Sequence, residues 1–355
     1  MGGNGYLREL LGGRRTGLAD RALLACLAPL SVVYSSGVQL RAAAYARGVL
    51  PTRRLDRPVI SVGNLTAGGT GKTPMAACVA RMLLSRGKRV VLLSRGYGGT
   101  LEGREAVVSD GERLFLAAEE AGDEPVLLAR SVPGLAVVIG ADRHRAGLLA
   151  RERLDPDVFL LDDGFQHLRL HRDLNILLLD CTNPFGTGLT LPAGLLREPR
   201  SALSRADLVI FTRCRPGVAP AVRSGLPSCR AEHALVGVRP LSGEGVLPFG
   251  YLGGRKGFAF AGIAEPADFF EEVRRAGLAL VGTRPLPDHS RYDDQTVTAL
   301  AAAARAVGAD YFITTEKDAV KIDRYLPRLG ETYAACLELR LEDAGPLEMA
   351  LNKIL

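Results

Sequence analysis

From residue 58 onward, short apolar runs of strand length alternate with stretches of helical period. Residues 58–62 (PVISV) predict a buried strand, followed by a glycine-rich turn and a helix over 73–86. On that helix Met75, Val79, Met82 and Leu83 recur at i, i+4, i+7 and i+8, and Gly87 closes it. Further apolar runs at 89–93, 136–139, 158–161, 176–179 and 208–211 predict strands, with Ala-, Leu-, Glu- and Arg-rich helical patterns between several of them. Continuous apolar strands alternating with helices imply a parallel sheet covered on both faces. Around residues 215–255 the pattern thins into Pro, Gly and Ser. Beyond it, strands at 258–261, 278–281 and 311–314 alternate with helices at 266–276 and 295–307. The expected architecture is an α/β phosphate-loop NTPase-like domain over 58–230, a linker over 231–256, and a smaller α/β domain over 257–355.

Residues 1–57 differ from the rest. A strongly apolar run, 22–34 (ALLACLAPLSVVY), is thirteen residues long and contains Pro29. A spanning helix needs about 20 residues, so this run predicts a helix lying in a membrane interface. Charge sharpens the picture. Nine arginines (Arg8, Arg14, Arg15, Arg21, Arg41, Arg47, Arg53, Arg54, Arg57) face Glu9, Asp20 and Asp56, and nine minus three equals the whole chain's net charge of +6. A basic arm on a neutral body suits an anionic membrane surface. Nucleic acid is disfavoured, because the arm lacks lysine and an apolar run interrupts it. Six scattered cysteines with no CxxC pair exclude a disulfide framework and a zinc ribbon, and fit a reducing compartment.

The candidate chemistry starts in the turn after the first strand. Thr66, Gly68, Gly69, Thr70, Gly71, Lys72 and Thr73 form a phosphate loop with threonine at the usual first glycine. Backbone N–H groups and the helix dipole there attract phosphate, Lys72 would reach the β- and γ-phosphates of ATP, and Thr73 would ligate Mg²⁺. Such a loop needs an acid at a neighbouring strand end, and 158–164 (VFLLDDG) supplies Asp162 and Asp163. Ala67 stands where deviant-Walker switch ATPases carry lysine, and no guanine-reading NKxD follows. Kinase or ligase chemistry is therefore expected.

Together with that loop, the runs SVGNL at 61–65, SRGYG at 94–98, GDEP at 122–125, DDGFQH at 162–167, LPAG at 191–194, LREP at 196–199, PDH at 287–289 and TTEKD at 314–318 resemble the tetraacyldisaccharide 4′-kinase family. The resemblance covers roughly residues 58–320 in the family's order. It implies transfer of the ATP γ-phosphate to the 4′-hydroxyl of an acylated glucosamine disaccharide 1-phosphate, at the cytoplasmic face of the bacterial inner membrane. It implies Asp123 as the base that deprotonates the sugar hydroxyl, with His289 beside it as a dyad, brought together from two domains when nucleotide binds. Arg95, Arg143 and Arg197 are then clamps for phosphate oxygens. Glu124, Asp162 and Asp163 compete for Mg²⁺, with Asp162 favoured, and Gln166, His167 and Glu198 are lesser candidates. The alternatives are another phosphate-loop small-molecule kinase or an ATP-dependent ligase, neither needing the membrane arm, and a nucleotide-switched membrane-binding protein.

Overall fold

The structure is a computed structural model that describes residues 3–214, 217–222, 225–243, 245–288 and 290–355. In chain order the elements are α1 (Gly3–Leu11), α2 (Leu18–Ala46), β1 (Val59–Asn64), α3 (Lys72–Ser85), β2 (Val90–Ser94), β3 (Ala106–Asp110), α4 (Ala118–Ala121), α5 (Asp123–Ser131), β4 (Ala136–Ile139), α6 (Arg143–Leu154), β5 (Val158–Asp162) and β6 (Leu174–Asp180). There follow β7 (Leu208–Thr212), β8 (Ser228–Pro240), β9 (Lys256–Ala261), α7 (Pro266–Arg275), β10 (Ala279–Pro285), α8 (Asp294–Ala306), β11 (Tyr311–Thr315), α9 (Glu316–Ala319), α10 (Leu326–Leu329), β12 (Thr332–Leu341) and α11 (Gly345–Asn352). They form two compact units. The first holds residues 1–94, 142–232 and 340–355, and the second holds 95–141 and 233–339.

In the first unit β1 lies between β5 and β6, in register Val59↔Phe159 and Asn64↔Leu178. β2 extends the sheet beyond β5, and β7 followed by the start of β8 extends it beyond β6, every pairing parallel. All residues of β1, β2, β5 and β7 are buried, as expected of strands covered on both faces. Helix α3 buries Met75, Val79 and Leu83 of the expected stripe, with Ala76, Ala77 and Ala80 alongside. From β1 the chain crosses to one side, and from β5 it crosses back to β6 on the other. This switch point lies at the carboxyl end of β1, where open α/β sheets bind their ligands.

The second unit contains the parallel ladder β10–β9–β11–β12 and the antiparallel pair β3–β4. Alternation along β9 explains its two cores. Phe258 and Phe260 pack with Phe312 and with Val297 and Leu300 of α8, while Ala259 and Ala261 pack with Ile313 and with Phe269, Phe270 and Val273 of α7.

Three expectations need correction. The apolar N-terminal helix is not a thirteen-residue piece but the 29-residue α2. Pro29 removes one backbone donor, and the Ala-, Gln-, Leu- and Arg-rich stretch behind it carries the helix on. Residues 231–256 are not a loose linker. β8 occupies the first part, Val238 exchanges backbone hydrogen bonds with Leu247 at 2.9 and 2.8 Å, and Leu252 is buried. Lastly, residues 95–141 group with the second unit rather than with the phosphate loop, and the C-terminal α11 groups with the first.

Candidate phosphoryl-transfer site

The site begins where β1 ends. Asn64 is fully buried, and its amide Nδ2 donates to Thr70 Oγ1 (2.8 Å) and Thr66 Oγ1 (3.4 Å) across the neck of the loop. Its Oδ1 accepts from Lys72 Nζ at 3.4 Å. Gly71, at φ 82°, turns the chain into α3 in the left-handed region that glycine enters without strain. Gly68 also has positive φ, and Gly69 lies exposed between them. Thr212 Oγ1 donates to Thr70 O (2.9 Å), and the Arg213 guanidinium donates to Gly69 O while lying 3.7 Å from Asp180. Thr66 and Thr70 are buried, so their hydroxyls shape the loop from within, whereas Thr73 sits half-buried in the first turn of α3. Asn64 and Arg213 were not among the expected site residues. Asn64 carried a signal in the SVGN run, and Arg213 carried none.

The two acids behave differently. Asp162 ends β5 and is buried. Asp163 turns out of the strand at φ 52°, and its Oδ2 accepts from Arg197 Nη1 at 2.7 Å and lies 3.8 Å from Lys72 Nζ. The residue following the strand thus stands beside the loop lysine. The Thr73 hydroxyl and these carboxylates are hard oxygen donors of the kind magnesium takes, and Asp163 Oδ1 is buried with no hydrogen-bond partner. The residues fit the ion. Among the described residues no group of three or more His, Cys, Asp or Glu is gathered for a metal.

Residues 189–199 flank the loop. Ala67 N donates to Leu195 O and Arg197 N to Leu65 O, both at 2.7 Å, which aims the Arg197 side chain at Asp163. Glu198 is buried against Arg205, and burial raises its carboxyl above the usual range. Gln166 Nε2 donates to Asn64 O at 2.9 Å. Arg143 is the buried first residue of α6, a helix capped by Asp142. Burial, aided by the Arg143 charge, pushes His167 down to about 4.

The second unit holds the remaining candidates. Asp123 and Glu124 open α5, positioned by Gly122 at φ 90°, where a Cβ would stand 2.6 Å from Tyr97 O. The SRGYG run therefore serves as backbone support for the start of α5. Arg95 is exposed and pairs with Glu102 at 3.2 Å. Glu124 pairs with Lys317 at 3.4 Å, and Asp123 with Lys321 at 3.4 Å. Asp123 and Glu124 both belong to the second unit, so Asp123 groups with the smaller domain rather than the larger. His289 lies outside the described residues. Thr315 caps α9 by accepting from Asp318 N at 3.1 Å, which makes the TTEKD run a helix start.

Comparison with known proteins gives concordant results. The model of the family described as tetraacyldisaccharide-1-P 4′-kinase matches residues 23–355. A tetraacyldisaccharide 4′-kinase of Geobacter metallireducens is 61% identical over 338 residues, covering 95% of this chain and 100% of that protein. One from Geobacter sulfurreducens is 59% identical over 355 residues, covering both chains fully. The crystal structure of LpxK from Aquifex aeolicus in complex with ATP superimposes with a TM-score of 0.81 at 35% identity, covering 94% of this chain and 99% of that one. The chain belongs to the tetraacyldisaccharide-1-P 4′-kinase family.

Proposed function

We propose that this chain transfers the γ-phosphoryl group of ATP to the 4′-hydroxyl of a tetraacylated glucosamine disaccharide 1-phosphate, working from the cytoplasmic face of the inner membrane. One observation carries the reading. In a chain of this family, Lys72, Asp163 and Arg197 converge at the carboxyl end of β1, beside a loop whose backbone amides open at a helix N-terminus. Phosphoryl transfer depends on positioning and charge neutralisation more than on covalent chemistry. Lys72 would stabilise charge developing on the transferring group, and Arg197, held by Asp163, offers a bidentate donor to phosphate oxygens. Thr73, Asp162 and Asp163 would hold Mg²⁺, which when bound neutralises charge across the β- and γ-phosphates. A sugar hydroxyl is a weak nucleophile, so a base must take its proton; Asp123 fills that role, assisted by His289.

Membrane seating follows from α2. The helix is long and apolar enough to cross a bilayer, yet three of its side chains tie it to the first unit. Ser31, Tyr34 and Arg41 bond respectively to Thr190 (2.8 Å), Arg197 (3.0 Å) and Gln166 (3.5 Å). From Ser31 to Arg41 the helix rises about 15 Å. A helix tied down over that length lies along the surface, with Leu30, Val32 and Val33 facing out.

The test is incubation with γ-labelled ATP and an acylated disaccharide 1-phosphate in mixed micelles. Label should appear on the lipid with the wild type and not with Lys72→Ala. Label released only as inorganic phosphate, or appearing equally on a non-acylated disaccharide, would overturn the assignment.

A further inference from the structure

Lys321 lies in the second unit, just after α9, with its side chain only 10% exposed. Its ammonium has three oxygens around it: Asp318 Oδ1 at 3.1 Å, Ser290 O at 3.2 Å and Asp123 Oδ2 at 3.4 Å. The Tyr292 ring lies on another side, its centroid 5.3 Å away. The ammonium donates to the Ser290 carbonyl and, as a compact point charge, forms ion pairs with both carboxylates. Two of the three oxygens are fixed by the fold. Asp318 is fully buried, and its Oδ2 accepts from Gly262 N at 2.9 Å and Thr315 Oγ1 at 2.7 Å. A Cβ at Gly262 would come within 3.0 Å of Asp318 Oδ1, so the glycine lets the carboxylate lie against the backbone. Ser290 O is a main-chain carbonyl in the loop carrying the PDH run. The third oxygen belongs to the first residue of α5.

We propose that Lys321 is a positioning residue: clamped by Asp318 and the Ser290 carbonyl, it fixes the Asp123 carboxylate in the orientation from which it accepts the acceptor's proton. The proposal rests on Asp123 being the base. It gives a role to a lysine placed three residues after the fully buried Asp318. In the neighbouring Lys317–Glu124 pair the carboxylate side chain is 41% exposed, against 17% for Asp123.

Steady-state kinetics with ATP and acylated disaccharide 1-phosphate test it on Lys321→Met, Lys321→Arg, Asp123→Asn and the Asp123→Asn/Lys321→Met double variant. Removing Lys321 strands the buried Asp318 charge and endangers folding, so Lys321→Met/Asp318→Asn removes cation and anion together. The expected result is a kcat lowered about 100-fold by Lys321→Met and by the Asp318-paired variant, with KM for ATP changed less than about threefold. Lys321→Arg should recover most of the loss, and Lys321→Met should add nothing in the Asp123→Asn background. Near wild-type kcat in both Lys321→Met variants alongside an impaired Asp123→Asn would sink the positioning role alone. A wild-type kcat for Asp123→Asn would instead sink the assignment of the base. If Lys321→Met lowered kcat as much in the Asp123→Asn background as in the wild type, Lys321 would act independently of Asp123, and the proposal would be wrong.

Discussion

A carboxylate at position 163 answers to two cations at once, 2.7 Å from Arg197 and 3.8 Å from Lys72, and the left-handed backbone there (φ 52°) is one that aspartate tolerates better than most residues. Asp163 is about one-third exposed, so its ion pairs contribute little to stability while setting where both cations stand. Asp163→Asn should therefore lower kcat about 10²-fold with an almost unchanged thermal unfolding midpoint, read by label transfer and calorimetry. A midpoint that fell along with activity would assign Asp163 to the fold instead. The histidine four residues on makes a pH prediction. Its folded-state value, about 4, lies below the ordinary 6.5, so the folded protein binds fewer protons between those values. That contribution to stability is complete above pH 6.5 and is lost as pH falls toward 4, amounting to roughly 3 kcal/mol over the window. Urea unfolding at pH 7 and pH 4.5 should show the wild type losing more stability than His167→Gln, and parallel losses would contradict the neutral buried ring. The DDGFQH run marked both positions in the sequence. What it could not give was that Asp163 turns toward Lys72, because that depends on one backbone dihedral.

Among the elements, the strands of both units were legible because each is a short, wholly apolar run bounded by polar or glycine positions, as in 158–161 and 208–211. Helix α2 was legible in kind but not in length, since propensity beyond Pro29 outweighs the single hydrogen bond the proline removes. Its working contact was not legible at all. Ser31 is 3% exposed on a helix whose neighbours Leu30 and Val32 are 57% and 65% exposed. Ser31 Oγ donates to Thr190 O (2.8 Å) and accepts from Ala193 N (2.9 Å), and Thr190 Oγ1 donates back to Ser31 O (3.0 Å). The same 189–199 segment bonds to Ala67 and Leu65 of the phosphate loop, so a serine in an apolar helix helps seat Arg197. Ser31→Val should leave the buried Ala193 N–H without its acceptor, costing about 1–3 kcal/mol. The expected readout is a thermal midpoint lower by several degrees and a reduced kcat, both restored by Ser31→Thr. Unchanged values in the valine variant would show the clamp to be idle.

At the scale of the whole chain, the sequence suggested consecutive domains, and the fold divides otherwise, with 95–141 leaving the first unit and 340–355 returning to it. The reason is physical. Periodicity reports the covering of a strand or helix but not the identity of its neighbours, and the ion pairs that join 119–130 to 317–324 (Glu119–Arg324, Glu124–Lys317, Asp123–Lys321, Arg130–Asp323) involve partners about two hundred residues apart. The division of charge, in contrast, was plain in the sequence and bears directly on how the enzyme meets its lipid. Nine of the arginines lie in residues 1–57, where only three acids offset them, and the outward face of α2 presents Leu30, Val32, Val33 and Leu40 at 57–72% exposure. Two forces should therefore add at a membrane, and they are separable. Headgroup attraction contributes about 1 kcal/mol per arginine near an anionic surface and is screened by salt. Burial of apolar side chains contributes roughly 1.5–3 kcal/mol each and is insensitive to salt. In flotation with vesicles containing anionic lipid, the wild type should bind at low salt and retain part of that binding at high salt. Leu30→Asp/Val33→Asp should weaken partitioning by at least about 10²-fold at either salt, and what binding remains should vanish on screening. Binding of the double variant equal to wild type would mean that α2 does not enter the interface and that the arginines alone hold the protein there.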